Sequence, residues 1–158
     1  MKIKKIILLA GSILVCEIAG VIGSIYTTPS IPGWYAGLIK SPLTPPSWVF
    51  APVWILLYAL MGIALFLVIQ KWNREKNVKL ACFVFCIQLI SNVIWSILFF
   101  GKQDPGSAFM GIIFLWYAII ATMISFGKIS KSATWLLVPY LVWVTFAGYL
   151  NFFIWVFN

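Results

Sequence analysis

The sequence predicts an all-α integral membrane protein, a bundle of five transmembrane helices with the N-terminus cytoplasmic and the C-terminus on the opposite side. Three observations predict it. The first is composition: of 158 residues, 63% are hydrophobic and 9% charged, against about 45–50% and about 25% in a soluble domain. With a mean hydropathy of +1.06, so few charges cannot cover a water-facing surface, and lipid must be the solvent for much of the chain. The second is segmentation into five apolar runs, each long enough to cross roughly 30 Å of hydrocarbon at about 1.5 Å per helical residue. The third is the absence of alternating polarity within those runs, which leaves the helix as the only spanning form.

The runs are Ile6–Tyr26, Trp48–Ile69, Val78–Phe100, Ala108–Phe126 and Thr134–Phe157, read as one membrane domain over residues 1–158. The first follows Lys2, Lys4 and Lys5, as a secretory signal would. Its length, its Glu17 and the lack of a small-x-small cleavage site mark it instead as a retained helix. The Pro- and Gly-containing stretch 27–47 is the one long connection, expected to be a non-helical outer lid. Trp34 and Tyr35 either hold it against the bundle or sit in an interfacial aromatic belt. In the last run Pro139 leaves the Trp135 carbonyl without a donor and predicts a kink.

Charge sets the expected sidedness. The net charge is +8. Lysines and arginines divide nine against two between alternate sides of the spans, Lys40 and Lys102 being the minority, which by the positive-inside rule places the N-terminus in the cytoplasm. Anionic lipid accounts for this charge, and nucleic acid is not an expected partner because the basic cluster at 71–79 is a short juxtamembrane turn. Cys16, Cys82 and Cys86 lie inside apolar runs in an odd number, giving neither a disulfide framework nor a metal knuckle. The chain has no histidine, so the commonest general base, metal ligand and haem axial ligand are missing. No metal and no resident cofactor are expected.

Helical spacing gathers the polar and aromatic residues of each span onto stripes: Gln88, Asn92, Trp95 and Phe99 on the third, Trp54, Tyr58 and Met61 on the second, Tyr140, Trp143, Ala147, Leu150 and Asn151 on the fifth. The fourth carries Met110, Phe114, Tyr117 and Ala121, and the first Ile13, Glu17, Gly20, Val21 and Ser24. Amides are costly in hydrocarbon, so the third stripe should face inward and meet the other aromatic stripes. The result is an aromatic and amide pocket under the 27–47 lid, with Trp54, Asn92, Trp95, Leu150 and Asn151 in its outer half and Trp143 and Glu17 near the middle. Alternatives stay open: aromatic stripes also serve as packing, and Gln88 and Asn92 could simply bond across helices, worth about 0.6–2 kcal/mol. Glu17, the one acid in a span, must be protonated, partnered or near water. The small pairs Ala19/Gly23 and Gly20/Ser24 permit close helix contact without fixing a dimer face. No triad, phosphate loop, metal cluster or paired buried carboxylates are present, so the chemistry on offer is recognition of a flat, apolar ligand by stacking.

Several runs resemble the translocator protein family, also called tryptophan-rich sensory proteins or peripheral-type benzodiazepine receptors. They are Trp34-Tyr35-Ala36-Gly37-Leu38, Pro45-Pro46-Ser47-Trp48-Val49-Phe50-Ala51-Pro52-Val53-Trp54, Leu57-Tyr58-Ala59-Leu60-Met61-Gly62, Asn92 with Trp95 and Phe99-Phe100-Gly101, Leu136-Leu137-Val138-Pro139-Tyr140-Leu141-Val142-Trp143, and Phe146-Ala147-Gly148-Tyr149-Leu150-Asn151. The resemblance implies a five-helix protein, often a homodimer, that binds porphyrins such as protoporphyrin IX and isoquinoline- or benzodiazepine-type ligands. It places pocket tryptophans at Trp54 and Trp143, the pocket amide at Asn92, and small or apolar lining at Ala147 and Leu150. With the stripe residues, the candidate ligand-binding set is Trp34, Trp54, Tyr58, Asn92, Trp95, Tyr140, Trp143, Ala147 and Leu150. Phe152 and Val156 stand where the animal members' sterol motif expects a tyrosine and a basic residue, which argues against sterol recognition. Ser107 replaces a tryptophan of the animal members. The leading expectation is a binding or sensory protein for tetrapyrroles in a prokaryotic cytoplasmic membrane, the mitochondrial outer membrane being the alternative, with porphyrin carriage as an extension. Two other readings are a light-dependent porphyrin-degrading enzyme using Trp54 and Trp143, and a small-solute transporter using Glu17, for which no inverted repeat is visible.

Overall fold

A computed structural model describes residues 2–158. Helix α1 spans Lys2–Ser30 and runs on through a π-helical turn, Ile31–Tyr35. A 3-10 turn, Ser47–Val49, leads into α2, Phe50–Ile69. Helix α3, Val78–Ser96, ends in a second π turn, Ile97–Gly101. There follow α4, Pro105–Gly127, a short α5, Lys131–Leu136, and α6, Val138–Phe157. Five helical units are long and apolar enough to cross a membrane, Ile3–Tyr35, Ser47–Ile69, Val78–Gly101, Pro105–Gly127 and Lys131–Phe157. No strand occurs among the described residues. The protein is an all-helical integral membrane protein.

The connection expected to be a loop from residue 27 is helical through Gly37, and only 38–46 is irregular. Pro29 and Pro32 would normally interrupt a helix by removing donors. Here side-chain bonds brace the stretch instead: the Thr27 hydroxyl donates to the Gly23 carbonyl at 3.1 Å, and the Ser30 hydroxyl lies 3.1 Å from the Tyr26 carbonyl and 2.8 Å from that of Phe100, tying it to α3. The π turn widens the ladder around Pro32. Tertiary packing then holds the extension in place, because Trp34 meets Phe99 and Tyr35 meets Phe100, ring centroids 5.4 and 5.8 Å apart. The two π turns of the described residues thus abut each other.

Pro139 acts as its chemistry requires. The last span breaks at Leu137, and Pro139 falls in the first turn of α6, where a missing N–H costs nothing. Helix α4 corrects a second expectation. Met110, Phe114 and Tyr117 are 57%, 58% and 64% exposed, while Ala108, Ile112, Leu115, Ile119 and Phe126 are buried. Both stripes are apolar, and hydrocarbon solvates an aromatic ring as well as a protein interior does, so polarity does not choose between the two faces and helix packing does. On α1 the packed edge is Ser12, Cys16, Ala19 and Gly23, next to the stripe that the spacing suggested. A Cβ at Gly62 of α2 would collide with the Ile13 backbone, which fixes how near α1 and α2 approach at that level.

The turn before α4 is capped by Asp104, whose carboxylate accepts from the Ser107 N–H at 3.0 Å. Hydrogen bonds from Ser107 hold this exposed carboxyl below its usual range.

Candidate functional site

Above the Gly62 contact, α1, α2, α3 and α6 enclose a cavity of about 350 Å³. Helix α2 lines it with Phe50, Trp54 and Tyr58, α3 with Asn92, Trp95, Ser96 and Phe100 of its π turn, and α6 with Trp143 and Ala147. From α1 come Glu17, Gly20, Val21, Ser24, Thr27 and Thr28, then Tyr35 of the extension. Gly20 is required: a Cβ there would stand 2.5 Å from the Tyr58 ring.

The central amide of the wall is held rigidly. The Tyr58 hydroxyl donates to Asn92 Oδ1 at 2.8 Å, and Asn92 Nδ2 donates to the Tyr140 hydroxyl at 2.7 Å. All three residues are buried, so each bond would be expensive to leave unmade. Three helices are tied together at one amide. Higher up, Trp95 Nε1 donates to Asn151 Oδ1 at 3.0 Å and Asn151 Nδ2 to the Pro105 carbonyl at 2.8 Å. Trp143 differs from both. Its Nε1 is buried without a hydrogen-bond partner. Trp54 packs against Tyr58 and Tyr140 at 5.6 and 6.3 Å, and Trp143 meets Phe50 edge-on at 5.9 Å.

Six of the nine residues singled out from sequence line the cavity: Trp54, Tyr58, Asn92, Trp95, Trp143 and Ala147. Three do not. Tyr140 stands behind Asn92 as its acceptor. Trp34 packs on Phe99 and Phe100 in the roof, and Tyr35 takes the lining position. Leu150 is buried off the cavity, because the Trp95–Asn151 bond bridges α3 and α6 at that level. Sequence reasoning missed Tyr35, Phe50, Ser96 and Phe100. Phe50 was legible, lying four residues before Trp54 on the same stripe.

The 38–46 segment, none of whose residues lines the cavity, is pinned to the end of α6. Ile39 exchanges two bonds with Asn158, its N–H donating to Oδ1 at 2.9 Å and its carbonyl accepting from Nδ2 at 3.1 Å. The Ser41 and Tyr149 hydroxyls are 3.0 Å apart. Lys40 Nζ donates to the carbonyls of Tyr35, Ala36 and Leu38 at 2.8–3.0 Å and lies 5.1 Å above the Tyr35 ring. A lysine gathering the last carbonyls of a helix also complements its dipole. Among the described residues no three His, Cys, Asp or Glu side chains are grouped to hold a metal, and all three cysteines are free thiols.

The model of the TspO/MBR family matches residues 12–156. The chain is 44% identical over 156 residues to the Tryptophan-rich protein TspO of Archaeoglobus fulgidus, covering 98% of this chain and 99% of that one. It is 42% identical over 149 residues to the Tryptophan-rich protein TspO of Chlorobaculum tepidum, covering 94% of each. The Translocator protein of Bos taurus is 34% identical over 148 residues, 92% of this chain and 86% of its own.

Proposed function

This chain belongs to the TspO/MBR family, and from that premise we propose that it is a membrane receptor or sensor for planar, largely apolar ligands, with protoporphyrin IX and isoquinoline- or benzodiazepine-type compounds as the class. The observation that carries this reading is the roofed cavity itself. Trp54, Trp95 and Trp143 offer ring faces, and Asn92 is fixed by two tyrosines. A bound planar ligand gains about 0.5–1.5 kcal/mol per aromatic pair beyond area burial. Movement of the ligand across the bilayer is an extension of the same reading, supported by the name of the bovine relative, Translocator protein. We place the protein in a prokaryotic cytoplasmic membrane with its N-terminus inside, on the nine-to-two charge division and the microbial relatives. A homodimer is part of the proposal.

Titration with protoporphyrin IX should quench tryptophan fluorescence saturably. Trp54→Phe combined with Trp143→Phe should weaken binding about tenfold, near 1.4 kcal/mol. Wild-type affinity in that double variant would place the ligand elsewhere.

A further inference from the structure

Resting on the reading that this cavity is the ligand site, we infer that Glu17 gives it a direction: the Glu17 end accepts a cationic or hydrogen-bond-donating edge of a planar ligand, and acidic groups are kept at the opposite, hydroxyl-rich end. Among the residues that line the cavity, Glu17 is the one ionisable carboxyl. It is half-buried, one turn before Gly20, the glycine that lies against the Tyr58 ring. No hydrogen bond or ion pair within the described residues engages its carboxyl. A carboxyl within a membrane span is retained at a cost unless something answers it, and nothing among the described residues does. A ligand donor or cation would.

Toward the roof the lining changes character. Thr27, Thr28 and Ser47 border the cavity there, about 15 Å further along the α1 axis at roughly 1.5 Å per residue. That end lies beside the irregular 38–46 segment, where a carboxylate of the ligand can stay hydrated. At the Glu17 end a ligand carboxylate would meet a like charge in a poorly screened setting. One ligand orientation is therefore favoured, and among ligands sharing a ring, those with basic edges are favoured over those with acidic ones.

Two porphyrins with the same ring separate charge from stacking: protoporphyrin IX, a dicarboxylate, and its bis(2-aminoethyl) amide, a diamine. Both are titrated by tryptophan quenching into the full chain in nanodiscs of zwitterionic lipid. Wild type should prefer the diamine by about fivefold or more, the scale of a partly screened ion pair. Glu17→Gln should bring the ratio to about one by weakening the diamine and tightening the dicarboxylate, and Glu17→Asp should keep the wild-type order. Equal affinities in wild type, or a ratio untouched by Glu17→Gln, overturn the inference, and the wild-type comparison holds even if the glutamine variant fails to fold. Absence of saturable binding of either porphyrin, or binding indifferent to Trp54→Phe with Trp143→Phe, overturns instead the reading on which it rests.

Discussion

Two hollows of nearly equal volume occur in this bundle, and only one has the makings of a site. The roofed cavity holds about 350 Å³; a groove between α4 and α6, floored by Gly148 and walled by Phe109, Trp116 and Tyr117, holds about 360 Å³. In the groove the indole and the threonine are already paired, since Trp116 Nε1 donates to the Thr145 hydroxyl at 2.9 Å and Thr145 to the Leu141 carbonyl at 2.8 Å. Its walls are rings, half-buried at Phe109 and Trp116 and exposed at Tyr117, that hydrocarbon solvates equally well. In the cavity the Asn92 amide is buried and immobilised between Tyr58 and Tyr140 of two other helices, while Glu17 has no partner among the described residues. Volume therefore says little in a membrane protein, where acyl chains fill any apolar dent. Polar groups tied between helices in a mostly apolar, concave wall are the discriminating feature.

The sharpest test of that contrast is the central amide. Asn92→Ala removes the partner of both Tyr58 and Tyr140 and should cost about 2–4 kcal/mol of stability, at about 1–3 kcal/mol per buried group left unsatisfied. Thr145→Val at the groove should cost about 0.6 kcal/mol, typical of a bond between membrane helices. Thermal unfolding in nanodiscs compares the two, and equal losses would erase the distinction. Next in size is affinity: Trp143→Phe alone should weaken protoporphyrin IX binding about three- to tenfold by removing a ring edge, whereas Trp116→Phe should leave it unchanged. Lys40→Met frees three carbonyls at the end of the α1 extension and should loosen the roof. The expected result is a several-fold faster ligand off-rate in stopped flow, with faster hydrogen exchange over residues 36–41 and no change at the groove.

The smallest effect lies outside both hollows. Asp104 has its folded pKa below the usual 3.8, so its cap contributes fully above that value and is lost as pH falls through the lower, folded one. Melting curves should therefore drop slightly below about pH 4 in wild type, and that increment should vanish in Asp104→Asn.

Much of this architecture was legible because lipid imposes strict rules. The third stripe, Gln88, Asn92, Trp95 and Phe99, is buried throughout, as the cost of amides in hydrocarbon demanded. Trp54 and Trp143 fell on the cavity by stripe and by family resemblance together. The α4 stripe could not be read, since Phe114 and Ile112 are equally at home in lipid and in a core. Neither could the helix through Pro29 and Pro32: local chemistry argues for a break, and only the contact of Trp34 and Tyr35 with Phe99 and Phe100, some 65 residues away in sequence, offsets that preference.

The amino-acid sequence by itself determined the solvent, the number of crossings and which amides turn inward, because transferring charges and amides into hydrocarbon has one sign everywhere. Tertiary structure alone decided which of two apolar faces meets protein, that Tyr35 rather than Trp34 borders the hollow, that Leu150 is shut out of it, and that the Trp143 N–H is left without a partner. These depend on shape and on pairing between distant helices, and to hydrocarbon the competing arrangements look nearly the same.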